Sequence, residues 1–334
     1  MMYFSFHEKM EILRNGWGTE STNLMYSIFR KDTSLPVMHH KLKYYRDLHW
    51  MICSGPMLAG YPGLFTADQL KNFSAQETSW LREVMLDSSQ LEHFMKPVEN
   101  EILGRIYERL FLFWMSNSPN FRLIGHNIQI QINGKTATEV DFIAEHIPTS
   151  TTYHFEVSCK YYLGSQNSTV HDYWIGPNGS DNLGARLKRM DQQLSVFETK
   201  TGKELLNQLG VKNIKSSGWL KGYLFFPHDQ LGRHRLPAGA SGQVPGGWYM
   251  RARDIHALDG ETGQWLSLPR NEWISPVEES PLFINSMNGR QLIQYVGDHF
   301  AQSHKALLLI QVNEQGHEIS RGFIVGDHWP KPDR

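Results

Sequence analysis

The chain has 334 residues, 40% hydrophobic and 20% charged, with a formal net charge of −1. That composition excludes a disordered chain and a strongly basic nucleic-acid coat, and suits one large domain or two ordinary ones. Cys53 and Cys159 are the two cysteines, neither in a CxxC pair, which excludes a zinc knuckle or a disulfide framework.

The opening MMYFSFHEKM has no basic stretch followed by a long apolar run, and the apolar segment KALLLIQV is far too short to span a bilayer. A soluble cytoplasmic protein with no membrane partner is expected. Residues 1–97 read as a mainly helical region. Tyr44–Ile52 and Asp68–Asp87 carry apolar groups at helical spacing, and SGPMLAGYPG breaks the chain between them. Residues 98–227 read as the core. Glu99–Met115 is helical, with Ile102, Ile106, Leu110 and Phe113 as its stripe. Phe121–Ile132 alternates as a strand, Asn133–Lys135 is a hairpin signal, and Thr138–Ala144 returns. A third strand covers residues 152–163, and a loop containing WIGPNGSDN follows. Asp181 or Asn182 caps a helix running to about Thr199. Trp219–Phe226 is continuously apolar and reads as a buried strand.

The order helix, three strands, helix, strand predicts an α/β sandwich. Three strands form a meander, and the fourth returns parallel over the crossover helix. Residues 228–334 start with the loop LPAGASGQVPGG and read as a mixed C-terminal extension packed on the core. Its elements are Trp248–Arg251, a helix at Gly289–Gln302, a strand at Leu307–Val312 and a last strand at ISRGFIV.

The third strand, HFEVSCKYYLG, poses the functional question. Strand side chains alternate, so Glu156, Ser158 and Lys160 share one face and Phe155, Val157 and Cys159 the other. Taken alone, Glu156 and Lys160 read as a surface pair. Asp141 lies on the preceding antiparallel strand, and adjacent strands bring such carboxylates together. Two acidic oxygens suit Mg²⁺ or Mn²⁺, and a lysine beside them can orient a water and stabilise negative charge. Asp141, Glu156 and Lys160 are therefore a candidate phosphodiester-hydrolysing set. Arg186, Arg189 and Gln193 fall along one face of the next helix, where they can meet a DNA phosphate backbone.

Val140–Asp141 followed by Phe155–Lys160, in that element order, resembles the PD-(D/E)xK nuclease superfamily. The blocks LGRIYERLFLFW, FEVSCKYYLG, YWIGPNGSDNL, WLKGYLFFP and RGFIVGDHWP resemble an uncharacterised bacterial family placed within it. The resemblance runs from about residue 45 and is strongest over residues 100–227. It implies a restriction-endonuclease-like αβββαβ core and a metal-dependent nuclease acting on nucleic acid, DNA foremost. It implies Asp141 and Glu156 as metal ligands and Lys160 beside the attacking water. Glu108 would be an extra acid and metal ligand from the first helix, and Gln193 a supporting polar residue. Two positions depart from the pattern. Ser158 holds the slot where the superfamily places its lysine, and Glu139 replaces the proline before the acid. Glu139 shares a face with Asp141, so either can bind the metal. The alternative is a nuclease-fold protein that binds nucleic acid or a protein partner without cutting, or a structural component of a larger complex. A homodimer is also compatible.

Overall fold

Local signals in the sequence set the helix boundaries. The computed structural model describes residues 42–98, 101–132, 135–242, 244–260, 263–278 and 285–331. Helix α1 spans Lys43–Cys53 and α2 spans Ala67–Leu86. Thr66 starts α2 through a capping box, its hydroxyl accepting the Gln69 amide while the Gln69 side chain accepts the Thr66 amide. After a short α3 (Ser89–Met95), α4 covers Leu103–Asn117. Its start is later than the apolar spacing predicts. Ile102 sits outside the helix and is 67% exposed, so the buried stripe begins at Ile106. Residues 1–41 and the expected turn at Asn133 lie outside the described residues.

The strands follow the alternation closely: β1 is Phe121–Ile132, β2 Lys135–His146, β3 Thr151–Gly164 and β4 Trp174–Ile175. Helix α5 (Leu183–Leu194) is capped by Asn182, whose Oδ1 accepts the Ala185 amide at 2.8 Å. It stops short of Thr199. The chain tightens into a 3₁₀ turn, and Thr199 caps a new helix, α6 (Lys200–Gln208), by accepting the Gly202 amide. β5 (Lys215–Pro227) follows. β6 (Gly246–Arg251), β7 (Gln264–Leu268), α7 (Gly289–Gln302), β8 (Leu307–Val312) and β9 (Glu318–Val325) complete the fold.

Among the described residues, nine strands make one mixed sheet ordered β1-β2-β3-β5-β6-β9-β8-β7, with β4 paired to β3. β1, β2 and β3 are the antiparallel meander, and β5 lies parallel to β3 from Tyr153↔Lys215 to Leu163↔Phe225. β6 and β9 extend the parallel part, and β8 and β7 close it antiparallel. Strands β6 to β9 therefore continue the sheet that β1 to β5 begin. The chain is a mixed α/β protein, and no helix among the described residues is long and apolar enough to cross a membrane.

Both faces are covered. On one, Phe155, Val157, Trp219 and Tyr223 pack under α1, α2 and α4. On the other, Tyr162, Leu220, Leu224 and Trp248 pack under α5 and α7. A smaller cluster joins Val140 and Ile143 to Val196, Phe197 and Leu206 around α6. The segment before α2 runs along one edge of β5: the Met57 amide donates to Leu220, and Phe65 and Gly218 are joined through backbone bonds around Gly63. Further along that edge, β6 takes over.

Gly222 lies within β5 opposite Lys160, with φ of 138°. A Cβ there would press on the Lys160 backbone carbonyl. Gly222→Ala is expected to lower unfolding free energy by about 2–3 kcal/mol in urea melts. A smaller loss would mean that the strand relaxes around the added methyl.

Candidate active site

The meander comes apart where the acids lie. β2 and β3 pair from His146↔Thr151 to Phe142↔Phe155, and the ladder ends there. At the next position, Asp141 Oδ2 accepts the Val157 amide at 2.8 Å, so a side chain takes the place of a backbone partner. β2 stays with β1 through Val140↔Ile128, while β3 stays with β5. The sheet forks, and Asp141 and Glu156 stand in the fork.

Glu156 has no solvent exposure. One carboxylate oxygen, Oε1, lies 2.9 Å from His154 Nε2, and His154 Nδ1 lies 3.1 Å from Ser216 Oγ. The other, Oε2, is buried without a hydrogen-bond partner. Burial pushes the Glu156 carboxyl up to about 7, and the neighbouring Asp141 amide and Arg186 guanidinium offset only part of that. Asp141 is raised in the same way, first by burial and then by the Glu156 charge. The Val157 amide and Arg186 pull it back in part. Burial also drives His154 down to about 4, so its imidazole is neutral near neutral pH.

Helices bring further charge from both sides of the sheet. Glu108 of α4 is half-buried, and its carboxyl is raised by burial and by Asp141 and Glu139. Arg105 and Arg186 oppose that rise. Arg186 of α5 is thus the cation that acts on Glu108, Asp141 and Glu156 together. Its Nε is buried and unpartnered, as is Oε1 of Gln193 two turns along α5. Gly218, opposite Glu156, lets α5 come close: a Cβ there would collide with Met190 and Leu64. Arg189 is exposed.

Lys160 does not join the acids in the way the sequence suggests. Its ammonium lies 3.1 Å from Asp181, which also takes the Tyr162 hydroxyl at 3.4 Å. The reason is local. Asn182 caps α5, which leaves the Asp181 carboxylate free to reach across to β3. Asp141 and Glu156 stand together, Glu108 and Arg186 act on them by charge, and Lys160 pairs with Asp181 instead. His154 escaped sequence reasoning, although its place two residues before Glu156 puts it on the same strand face. Among the described residues, no three His, Cys, Asp or Glu side chains stand close enough together to form a metal cage. The orphaned Glu156 Oε2 and the raised acid pair nonetheless fit a dication held by two protein carboxylates and otherwise by water or substrate oxygens.

A family model described as a domain of unknown function (DUF1853) matches residues 46–325. The chain belongs to that family. The match begins within α1 and ends at the last residue of β9, so the DUF1853 domain contains the whole sheet and the fork. No curated protein and no solved structure matches the chain.

Because burial raises both carboxyls, the folded chain binds more protons than the unfolded chain across the window from the ordinary carboxylate range to about 7. Stability from this pair is complete at acid pH and is lost as pH rises through that window. In metal-free buffer, Asp141→Asn and Glu156→Gln should each be more stable than the parent near pH 8, by about 1–3 kcal/mol. The gap should close towards about pH 4.5. Thermal melts across pH measure it, and a gap independent of pH would show that the acids are not strained.

Proposed function

We propose that this DUF1853 chain is a metal-dependent phosphodiesterase of the PD-(D/E)xK kind that cuts nucleic acid, DNA foremost. The observation that carries this reading is the buried acid pair with an orphaned carboxylate oxygen, under the charge of Arg186, whose buried Nε has no partner. Two desolvated carboxyls side by side are costly to keep charged. A bound cation relieves that cost, and a phosphate bound to the cation and to Arg186 completes the charge balance.

Asp141 and Glu156 would hold Mg²⁺ or Mn²⁺, and Glu108 would add negative charge from α4. When bound, the ion supplies an activated water and neutralises a phosphoryl oxygen. The protein's own groups do the rest. His154 fixes Oε1 of Glu156 and so leaves Oε2 for the metal. The Val157 amide fixes Asp141. Arg186 meets the phosphate oxygen and stabilises charge as it develops, the task that sequence reasoning gave to Lys160. Arg189, exposed on α5, reaches for a flanking phosphate.

The ion pair of Lys160 with Asp181 supports a second reading, in which the fork binds nucleic acid without cutting it. Purified chain on plasmid, single-stranded and branched DNA with Mg²⁺ or Mn²⁺ separates the two. Asp141→Asn and Glu156→Gln should abolish cleavage, and Arg186→Gln should slow it by about two to three orders of magnitude. Lys160→Ala should cost less than Arg186→Gln. Either dication should raise the melting temperature of the parent near neutral pH and leave both acid variants unchanged. An uncut substrate on every DNA, with no metal-dependent shift in melting, would overturn the catalytic reading.

A further inference from the structure

Two residues beside the fork form a line with Glu156. His154 and Glu156 alternate onto one face of β3, and parallel pairing sets Ser216 of β5 directly opposite His154. His154 and Glu156 have no solvent exposure, and Ser216 is half-buried. Phe197 meets the imidazole edge to face, with ring centres 5.0 Å apart, and so holds its plane. Each ring nitrogen then has a partner. Nε2 lies 2.9 Å from Glu156 Oε1, and Nδ1 lies 3.1 Å from Ser216 Oγ.

A neutral imidazole carries a single N–H, and its neighbours decide where. A charged carboxylate only accepts, so the proton has to sit on Nε2 and point at Oε1. Nδ1 is then a bare lone pair that only a donor can face, and the Ser216 hydroxyl is that donor. With the proton on Nδ1 instead, the ring would set a lone pair against the carboxylate. Ser216 therefore acts on Glu156 through His154. The two oxygens of Glu156 are left unequal: Oε1 is tethered to His154, and Oε2 is buried with no partner. Across the ladder Glu156 faces Gly218, which has no side chain to offer a second donor.

We propose that Ser216 and His154 are positioning residues that hold Glu156 as a one-oxygen ligand, and that they make the fork select a small dication, Mg²⁺ or Mn²⁺, over Ca²⁺. This rests on the metal reading above and adds to it the residues that set the choice of ion. Mg²⁺ keeps an octahedral shell rich in water and is served by a carboxylate that gives one oxygen. Ca²⁺ takes more ligands and commonly draws both oxygens of a carboxylate, which a tethered Oε1 resists. Partners that orient a ligand in this way are worth about 10- to 100-fold in metal affinity.

The test uses the full chain and two readouts, neither of them cleavage. The first is the ¹⁵N spectrum of ring-labelled histidine in metal-free buffer at about pH 9, where both raised carboxyls are charged. His154 should be the Nε2–H tautomer. Ser216→Ala should mix in the Nδ1–H form, and Ser216→Thr should restore the parent spectrum. The second readout is calorimetric titration with MgCl₂, MnCl₂ and CaCl₂. His154→Leu should weaken Mg²⁺ and Mn²⁺ by about 10- to 100-fold and Ca²⁺ by less, so that the preference narrows. His154→Gln, whose amide can donate to Oε1, should restore it. Ser216→Ala should narrow the preference by less, which keeps the test readable if His154→Leu fails to fold. An Nδ1–H ring in the parent, a parent without preference among the cations, or variants that weaken all three alike would each overturn the proposal and leave the metal reading standing. A parent that binds none of the three overturns both.

Discussion

The amide of Val157 has to donate to something, and in this fold it donates to the carboxylate of Asp141. An unpaired buried amide costs free energy comparable to a lost hydrogen bond. By supplying the acceptor from a side chain, Asp141 lets the β2–β3 ladder end without that penalty. The strands can then separate while each keeps its outer neighbour. One hydrogen bond both opens the fork and fixes the acid that stands in it.

The charges around the fork follow from which elements the separation admits. α4 approaches from one sheet face and brings Glu108. α5 approaches from the other and brings Arg186. That second approach depends on an absent side chain at Gly218, since Met190 fills the space a Cβ would need. The result is a region with three raised carboxyls, a neutral histidine and one guanidinium. The same low dielectric that raises the acids strengthens any cation or phosphate they receive.

Much of this was legible from alternation alone. The meander, the parallel return of β5 and even the ends of β1, α7 and β8 follow from period-two and helical spacing. The phase of HFEVSCKYYLG placed Glu156 and Lys160 on one face, and the antiparallel order placed Asp141 near Glu156. What the sequence could not show was competition between partners. Lys160 has two acids within reach of its long stem, and which one holds it depends on Asn182 winning the cap of α5 from Asp181. Arg186 read as a contact to a DNA phosphate and not as a neighbour of the acids, because the approach of α5 to the fork depends on Gly218. The membership of β6–β9 in one sheet was hidden for a similar reason. Pairing between strands so distant in sequence leaves no periodic trace.

The edge of β5 is divided between two distant parts of the chain. The segment at residues 57–65 covers its first half, and β6 covers its second. No contiguous stretch of the polypeptide can therefore satisfy that edge by itself. A fragment that stops in the loop before β6 leaves the hydrogen-bonding groups of Leu224 to Pro227 bare beside Leu224, Phe225 and Phe226. Such an edge pairs with copies of itself. A cut in the Gly- and Pro-rich stretch just before β6 is thus a poor way to divide this protein for expression.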